Sequence, residues 1–232
     1  MVDVIQWLIW YAVFLFSVTL HEAAHAFVAH KGGDPTAYHG GQVSLDPIPH
    51  IRRSPFGMVV LPILSLAMFG WPLGFASAPY DPMWAHDHPR RAGWMAFAGP
   101  ASNLLLVLIA AGAIRLGIGA GVFTVPSSVG IPEIAEAAGP GTWEGVALIL
   151  GMLFCLNLVL AVLNIIPLPP LDGNGVLTLL LSEDGARRWN ETTRNPMFAM
   201  VGLIIAWNLF GPLFDAIFAG ALVLLYPEAR YL

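Results

Sequence analysis

Two histidines four residues apart, inside an apolar run, constrain this chain more than any other feature. Leu20-His21-Glu22-Ala23-Ala24-His25 lies in a stretch that begins near Val4, with Trp7 to Phe16 before it and Ala26-Phe27-Val28-Ala29 after it. On a helix of about 3.6 residues per turn, positions four apart share a face, so His21 and His25 point the same way. Two imidazoles so placed can share a metal ion, and Glu22 beside them can take a proton from an attacking water. A charged side chain at the centre of a bilayer helix costs about 2.5–3.5 kcal/mol on insertion scales. Ionisable groups packed this closely therefore need close partners or a metal. Polar packing against neighbouring helices is the bland outcome; a zinc site within the membrane is the functional one.

The rest of the composition agrees with a membrane setting. The 232 residues are 57% hydrophobic and 11% charged, whereas soluble domains carry roughly 25% charged residues. An all-α polytopic membrane protein is the fold class this predicts, with the lipid bilayer as its surroundings. Cys155 is the only cysteine, which excludes an intrachain disulfide and suits a small buried hydrophobe. Asp3 where a signal peptide is basic, and the length of the apolar run, argue against a cleaved leader. No basic cluster stands outside short loops, so a nucleic-acid partner is excluded. Trp7, Trp10, Trp143 and Tyr226 sit where interfacial aromatic belts are expected.

In chain order, the sequence predicts four to six transmembrane or re-entrant segments. The first runs from about Val4 to Ala29 and stops at Lys31-Gly32-Gly33-Asp34-Pro35. A Gly-, Pro- and His-containing loop follows, in which Gly41 to Leu45 reads as a short β-strand. Gly57 to Ser77 is apolar but interrupted by Pro62, Gly70, Pro72 and Gly74. A clean span covers about Ala92 to Ile114, and a Gly-rich, mildly acidic loop runs from Arg115 to Gly141. The next span, about Gly145 to Ile166, breaks into Pro167-Leu168-Pro169-Pro170-Leu171-Asp172-Gly173. Met197 to Leu225 is one tilted span or a hairpin broken at Gly211-Pro212.

Basic residues set the orientation. Lys31, Arg52, Arg53, Arg90 and Arg91 precede the second clean span, and Arg187, Arg188 and Arg194 follow Asp172. The positive-inside rule places both groups in the cytoplasm and the acidic loop outside. That holds only if Gly57 to Ser77 dips in and returns. Were it to cross, Asp172 would reach the face opposite His25. Re-entrant backbone is tolerated where protein buries it or it lines a cavity.

A catalytic zinc takes three protein ligands and leaves one place open. Asp172 is the best third ligand, because three prolines and a glycine break the span there and bring a carboxylate inward. Its plainer role would be to cap the short helix starting at Gly173.

With these residues in view, the chain resembles the site-2 protease family of intramembrane zinc metalloproteases. Asn164, Pro167, Pro170, Asp172 and Gly173 match that family's N-x-x-P-x-x-P-x-D-G type motif, and Ala98-Gly99-Pro100 to Asn103 is similar to its A-G-P-x-x-N segment. The resemblance implies one Zn2+ held by His21, His25 and Asp172, with Glu22 as catalytic acid/base. It also implies that Asn103 and Asn164 lie near the substrate groove. The implied activity is hydrolysis of peptide bonds in transmembrane or membrane-associated proteins, within the cell membrane and toward the cytoplasm. The chain would be a single domain over 1–232, with core motifs in 1–181 and an additional helical segment at 197–225. It carries no PDZ-sized insertion between Asn103 and Asn164 and no soluble domain after Asp172, which suggests a minimal core enzyme. Ala78-Pro79-Tyr80-Asp81-Pro82 is only a loose counterpart of the family's strand before A-G-P.

His30, His39, His50, His86 and His88 fall in or beside loops and suit solvated or interfacial roles. A di-metal oxidase would need further histidine pairs at helical spacing, which His86 and His88 do not supply. A metal transporter would need paired repeats with ionisable residues in both halves. A metal-binding but inactive relative would have no use for Glu22. Asn208 and Asp215, seven apart about Gly211-Pro212, suggest a hinged final helix that gates substrate access.

Overall fold

The computed structural model describes residues 4–229, and helices make up nearly all of its regular structure. Four of them are long and apolar enough to cross a membrane: α1 (Val4–Lys31), α6 (Pro89–Gly119), α7 (Thr142–Asn164) and α10 (Pro196–Leu225). Between α1 and α6 lie α2 (Thr36–His39), α3 (Pro47–Arg53), a π-helical turn (Phe56–Val60) running into α4 (Leu61–Phe69), and α5 (Pro82–Asp87). After α7 come α8 (Asp172–Val176), a 3-10 turn (Leu177–Leu180) and α9 (Glu183–Thr193). One sequence device starts three of these helices. Asp46, Asp81 and Asn195 each precede a proline, and each accepts a bond from the backbone N–H two residues on. The side chain satisfies an orphan donor, and the proline sits where no N–H is needed.

α7 is the centre of the bundle. Its Phe154 and Leu158 join Val107 and Ile114 of α6 and Phe214 of α10 in one apolar cluster. Met152 and Leu156 join Trp10 and Phe14 of α1 and Met58 and Leu66 of the following hairpin in another. α10 is the peripheral helix, exposing Leu203, Ile204 and Trp207, a face suited to acyl chains. It is one continuous helix with Pro212 inside it, so the alternative of a broken hairpin does not hold.

The segment after α3 bends and folds back on itself. α3 meets the π-turn and α4 at a bend of 114°. Gly70, at φ 70°, stops α4 in the left-handed conformation that glycine alone adopts freely. The chain then runs back without regular structure, and the Phe75 amide donates to the Gly57 carbonyl at 3.1 Å. Around the tip, Trp71 packs edge-on against Trp10 at 4.6 Å between centroids. Trp10 stands roughly 22 Å along α1 from His25, at about 1.5 Å per residue. The return brings the basic residues together: Arg91 of α6 donates to the carbonyl of Gly32 just after α1, at 3.1 Å, and Arg187 donates to that of His86 at 3.3 Å. The Arg115–Gly141 loop lies at the other end, where Arg115 meets the carbonyl of Leu225.

Two expectations need correcting. Gly41–Leu45 is not a strand but a turn and bend. Gln42 spends its amide on Ala37 and its side chain on the Ser77 carbonyl, and Ser44 gives its carbonyl to His50. The strands present are β1 (Phe123–Thr124) and β2 (Glu136–Ala137), antiparallel, in the acidic loop instead. Trp10 and Tyr226 are also not interfacial: both are buried, and the Tyr226 hydroxyl donates to the Ile134 carbonyl.

Candidate metal centre

α1 turns His21 and His25 to one face, with their rings nearly perpendicular and Nε2 atoms 3.0 Å apart. Asp172 arrives from the far side of the broken span. Its Oδ2 lies 3.0 Å from Nε2 of His21 and 3.3 Å from Nε2 of His25. Gly173 permits that approach, since a Cβ there would stand 2.2 Å from the Ile166 carbonyl oxygen and 2.3 Å from that of Ile165. Any side chain would lift α8 off the end of α7 and take Asp172 with it. The capping role for Asp172 does not apply, because Leu171 is the N-cap and makes no side-chain bond. Among the described residues, His21, His25 and Asp172 are the group of metal-capable side chains whose ligand atoms converge.

The partners of the two rings suit a group that could hold a cation. Nδ1 of His25 lies 2.7 Å from the Met95 carbonyl, which only accepts, so Nδ1 carries the hydrogen. Nδ1 of His21 meets Oδ1 of Asn103 at 2.6 Å, with the same consequence. With both rings neutral, the Nε2 atoms present lone pairs to each other and to Asp172 Oδ2. Three lone pairs this close repel unless a cation stands among them. In a tetrahedral zinc site with bonds of about 2.0–2.1 Å, ligand atoms lie about 3.3 Å apart, close to the separations seen. Two imidazoles and a carboxylate are also a known catalytic zinc set. The residues fit the ion.

Space is kept for it by Gly99 on α6. A Cβ at that position would fall 2.4 Å from Nε2 of His25 and 2.5 Å from Nε2 of His21. Glu22, buried beside them, has an Oε2 with no hydrogen-bond partner. With His25 and Asp172 it lines a cavity of about 420 Å³. Other parts of the wall include Ala76–Ala78, and Asn190 and Glu191 of α9. Tyr80 and Glu191 are exposed as well as lining, so the cavity reaches the surface.

Neither asparagine expected at the groove lines this cavity. Asn103 is fully buried behind His21, and Asn164 turns its amide back to the Leu160 carbonyl of its own helix. Asn103 is thus enclosed, while Asn164 is partly buried with its amide nitrogen on its own helix. The loop histidines stay out of the centre: His30 stacks on Tyr38, and His50 is buried rather than solvated. The sequence alone singled out neither Ser17 nor Asn157, and it gave Gly99 only as part of Ala98-Gly99-Pro100, without a role. Ser17 stands four residues before His21, on the same face, and Asn157 is polar within an apolar helix. Those were the available signals.

Residues 9–209 match the family model for peptidase family M50. "Putative zinc metalloprotease YwhC" of Bacillus subtilis is 34% identical over 164 residues, covering 70% of this chain and 64% of the relative. "Putative zinc metalloprotease Rip2" of Mycolicibacterium smegmatis is 30% identical over 179 residues, covering 76% of this chain and 58% of the relative. Rip2 of Mycobacterium tuberculosis is 30% identical over 207 residues, 89% of this chain and 70% of the relative. The matched region thus spans less than two thirds of the first two relatives. No solved structure matches. A match over most of the length, on a chain whose histidine pair and aspartate converge as described, leads to one conclusion: this chain belongs to peptidase family M50, the site-2 protease family.

Proposed function

We propose that the chain is a zinc metalloendopeptidase acting inside the cell membrane, as one domain over residues 1–232. Its substrates are transmembrane or membrane-associated proteins, cleaved toward the cytoplasmic side. One observation carries this reading: two histidine Nε2 atoms and an aspartate oxygen meet within 3.3 Å, beside the unpartnered carboxylate of Glu22, on a cavity that reaches the surface. His21, His25 and Asp172 hold the ion. Zinc, when bound, supplies Lewis acidity that polarises a peptide carbonyl and lowers the pKa of water to about 7.

The chain's own groups do the rest. Glu22 Oε2 takes the proton of the attacking water and returns it to the leaving amine nitrogen, so one carboxylate serves as base and then acid. Its burial without a partner leaves both lone pairs free for that transfer. The Met95 carbonyl and Asn103 orient the two imidazoles. Water reaches the site through the polar wall that α9 contributes, and the apolar bundle excludes it elsewhere. A substrate helix hides its carbonyls, so it must unwind before cleavage. The Ala76–Ala78 stretch, outside regular structure and on the same cavity as Glu22, is backbone beside which an unwound segment can lie, although its Ser77 carbonyl already accepts from Gln42 and Arg53. Gly41–Leu45, a turn and bend, offers no strand edge.

The site's place near the basic end supports the orientation. His25 is six residues before Lys31, and Lys31, Arg91 and Arg187 gather there, the side the positive-inside rule assigns to the cytoplasm. The test pairs zinc analysis with cleavage of a transmembrane peptide in reconstituted vesicles. Glu22→Gln keeps zinc and loses roughly 10²–10⁴-fold in rate, and His25→Ala loses zinc. Wild-type turnover by Glu22→Gln would overturn the proposed proton transfer; full zinc occupancy in His25→Ala would overturn the ligand set.

A further inference from the structure

We propose that Asn157 is a positioning residue for the metal centre, setting the tautomer of His21 through Asn103; the inference rests on the zinc reading above. Asn157 lies in the middle of α7, fully buried, on the far side of Asn103 from the site. It touches none of the ligands. Its effect travels through the polarity of two amide groups.

The chain of bonds starts at a fixed point. Asn157 Nδ2 lies 2.8 Å from the backbone carbonyl of Leu153, one turn earlier on the same helix, and 2.9 Å from Ser17 Oγ. A carbonyl only accepts, so the amide nitrogen must stand there. Oδ1 of Asn157 therefore faces Asn103, 2.8 Å from Nδ2. An amide oxygen also only accepts, so Asn103 must give its nitrogen to Asn157 and turn its oxygen to His21. That oxygen, 2.6 Å from Nδ1 of His21, requires the imidazole hydrogen on Nδ1. Nε2 is left with the lone pair that a metal needs. Each link admits one arrangement, because the helix backbone at Leu153 cannot change from acceptor to donor.

Without Asn157 the arrangement is degenerate. The two ends of the Asn103 amide are nearly the same size, and nothing else in the trio tells them apart. A half-turn of that amide would present NH2 to Nδ1 of His21 and place the hydrogen on Nε2, where it blocks ligation. Partners one shell behind a metal ligand typically change affinity by about 10–100-fold. A competing role exists for the same bonds, since Ser17, Asn103 and Asn157 lie on α1, α6 and α7 and such bonds can hold membrane helices together. The two roles separate in one combination of variants.

Zinc affinity of the full chain in detergent micelles is measured by competition with a chromophoric chelator, alongside helicity and thermal unfolding. Asn157→Leu weakens zinc by about 10–100-fold. Adding Asn103→Asp restores affinity to near wild type, because a carboxylate presents an acceptor to His21 whichever way it turns. Asn157→Asp, which still accepts from Asn103, keeps zinc even though it cannot donate to Leu153. Helix bonding alone predicts no restoration, since the double variant regains neither of the interhelical bonds that Asn157→Leu removes. Unchanged affinity in Asn157→Leu overturns the inference, and so does a loss that Asn103→Asp fails to restore. A wild-type chain that binds no zinc brings down the zinc reading itself, a distinguishable result.

Discussion

Gly99→Ala adds one methyl group where the centre keeps its space. Its Cβ would lie 2.4 Å from Nε2 of His25, 2.5 Å from Nε2 of His21 and 2.6 Å from Cε1 of His21. Relaxed contacts between such atoms are about 3.5 Å, so the rings must give way by roughly 1 Å. They cannot simply swing aside, because each is held at Nδ1, by Asn103 and by the Met95 carbonyl. Zinc–ligand distances tolerate only about 0.2 Å of error. A displacement several times larger should raise the zinc dissociation constant by about 100-fold or more, equivalent to roughly 2.8 kcal/mol. Helix propensity works the other way, since alanine is favoured over glycine in a helix interior by about 0.5–1 kcal/mol. Loss of zinc with helicity intact is therefore the expected signature. Gly112→Ala is the control on the same helix, because a Cβ there meets nothing within 4 Å. Zinc content and affinity are read by elemental analysis and chelator competition, and folding by circular dichroism. If Gly99→Ala binds zinc as tightly as Gly112→Ala, the claim that Gly99 holds the metal's space is refuted.

Cysteines placed at Ser54 and at His86, in a Cys155→Ala background, should both react with an impermeant maleimide from the same side of sealed vesicles; labelling from opposite sides would refute the returning path of 57–77. Asp34 is buried, and although burial works against its charge, the bonds from the Thr36 hydroxyl and amide and the Asp81 amide hold its carboxyl below the usual range. A lowered folded-state value means stability present above the ordinary carboxylate pKa of about 3.9 and lost as pH falls through the folded-state value. Asp34→Asn should thus cost about 1–3 kcal/mol at neutral pH, and the difference from wild type should vanish in strong acid; an equal gap at both pH values in thermal unfolding would contradict this. In α10, Ala199 lines the cavity and Gly202 packs on the Pro169 carbonyl, so a bend at Gly211-Pro212 can move a wall of the site. Gly211→Ala with Pro212→Ala should change cleavage rate at constant zinc content, and a wild-type rate would leave α10 as a packing helix.

What the sequence by itself determined were the features that depend on local periodicity or on summed charge. His21 and His25 share a face because four residues are nearly one helical turn, whatever surrounds them. The break at Pro167 to Gly173 and the stops at Gly33 and Gly70 are backbone properties of proline and glycine. The positions of the arginines predicted that 57–77 returns to the side it entered from, the expectation the paired cysteines test. Only the tertiary structure decided which polar groups meet. Asn103 looked like a groove residue until the rotation of α6 put it behind His21, against Asn157 of α7. Trp10 and Tyr226 looked interfacial until Trp71 and Ile134 covered them. Gly41–Leu45 alternated like a strand but had no neighbour to pair with, while Phe123–Thr124 found one in Glu136–Ala137. A helix carries its own hydrogen bonds and so announces itself locally. A buried amide, a strand or an empty space beside a glycine has meaning only through a neighbour distant in sequence, and the mutual rotation of the helices chooses that neighbour.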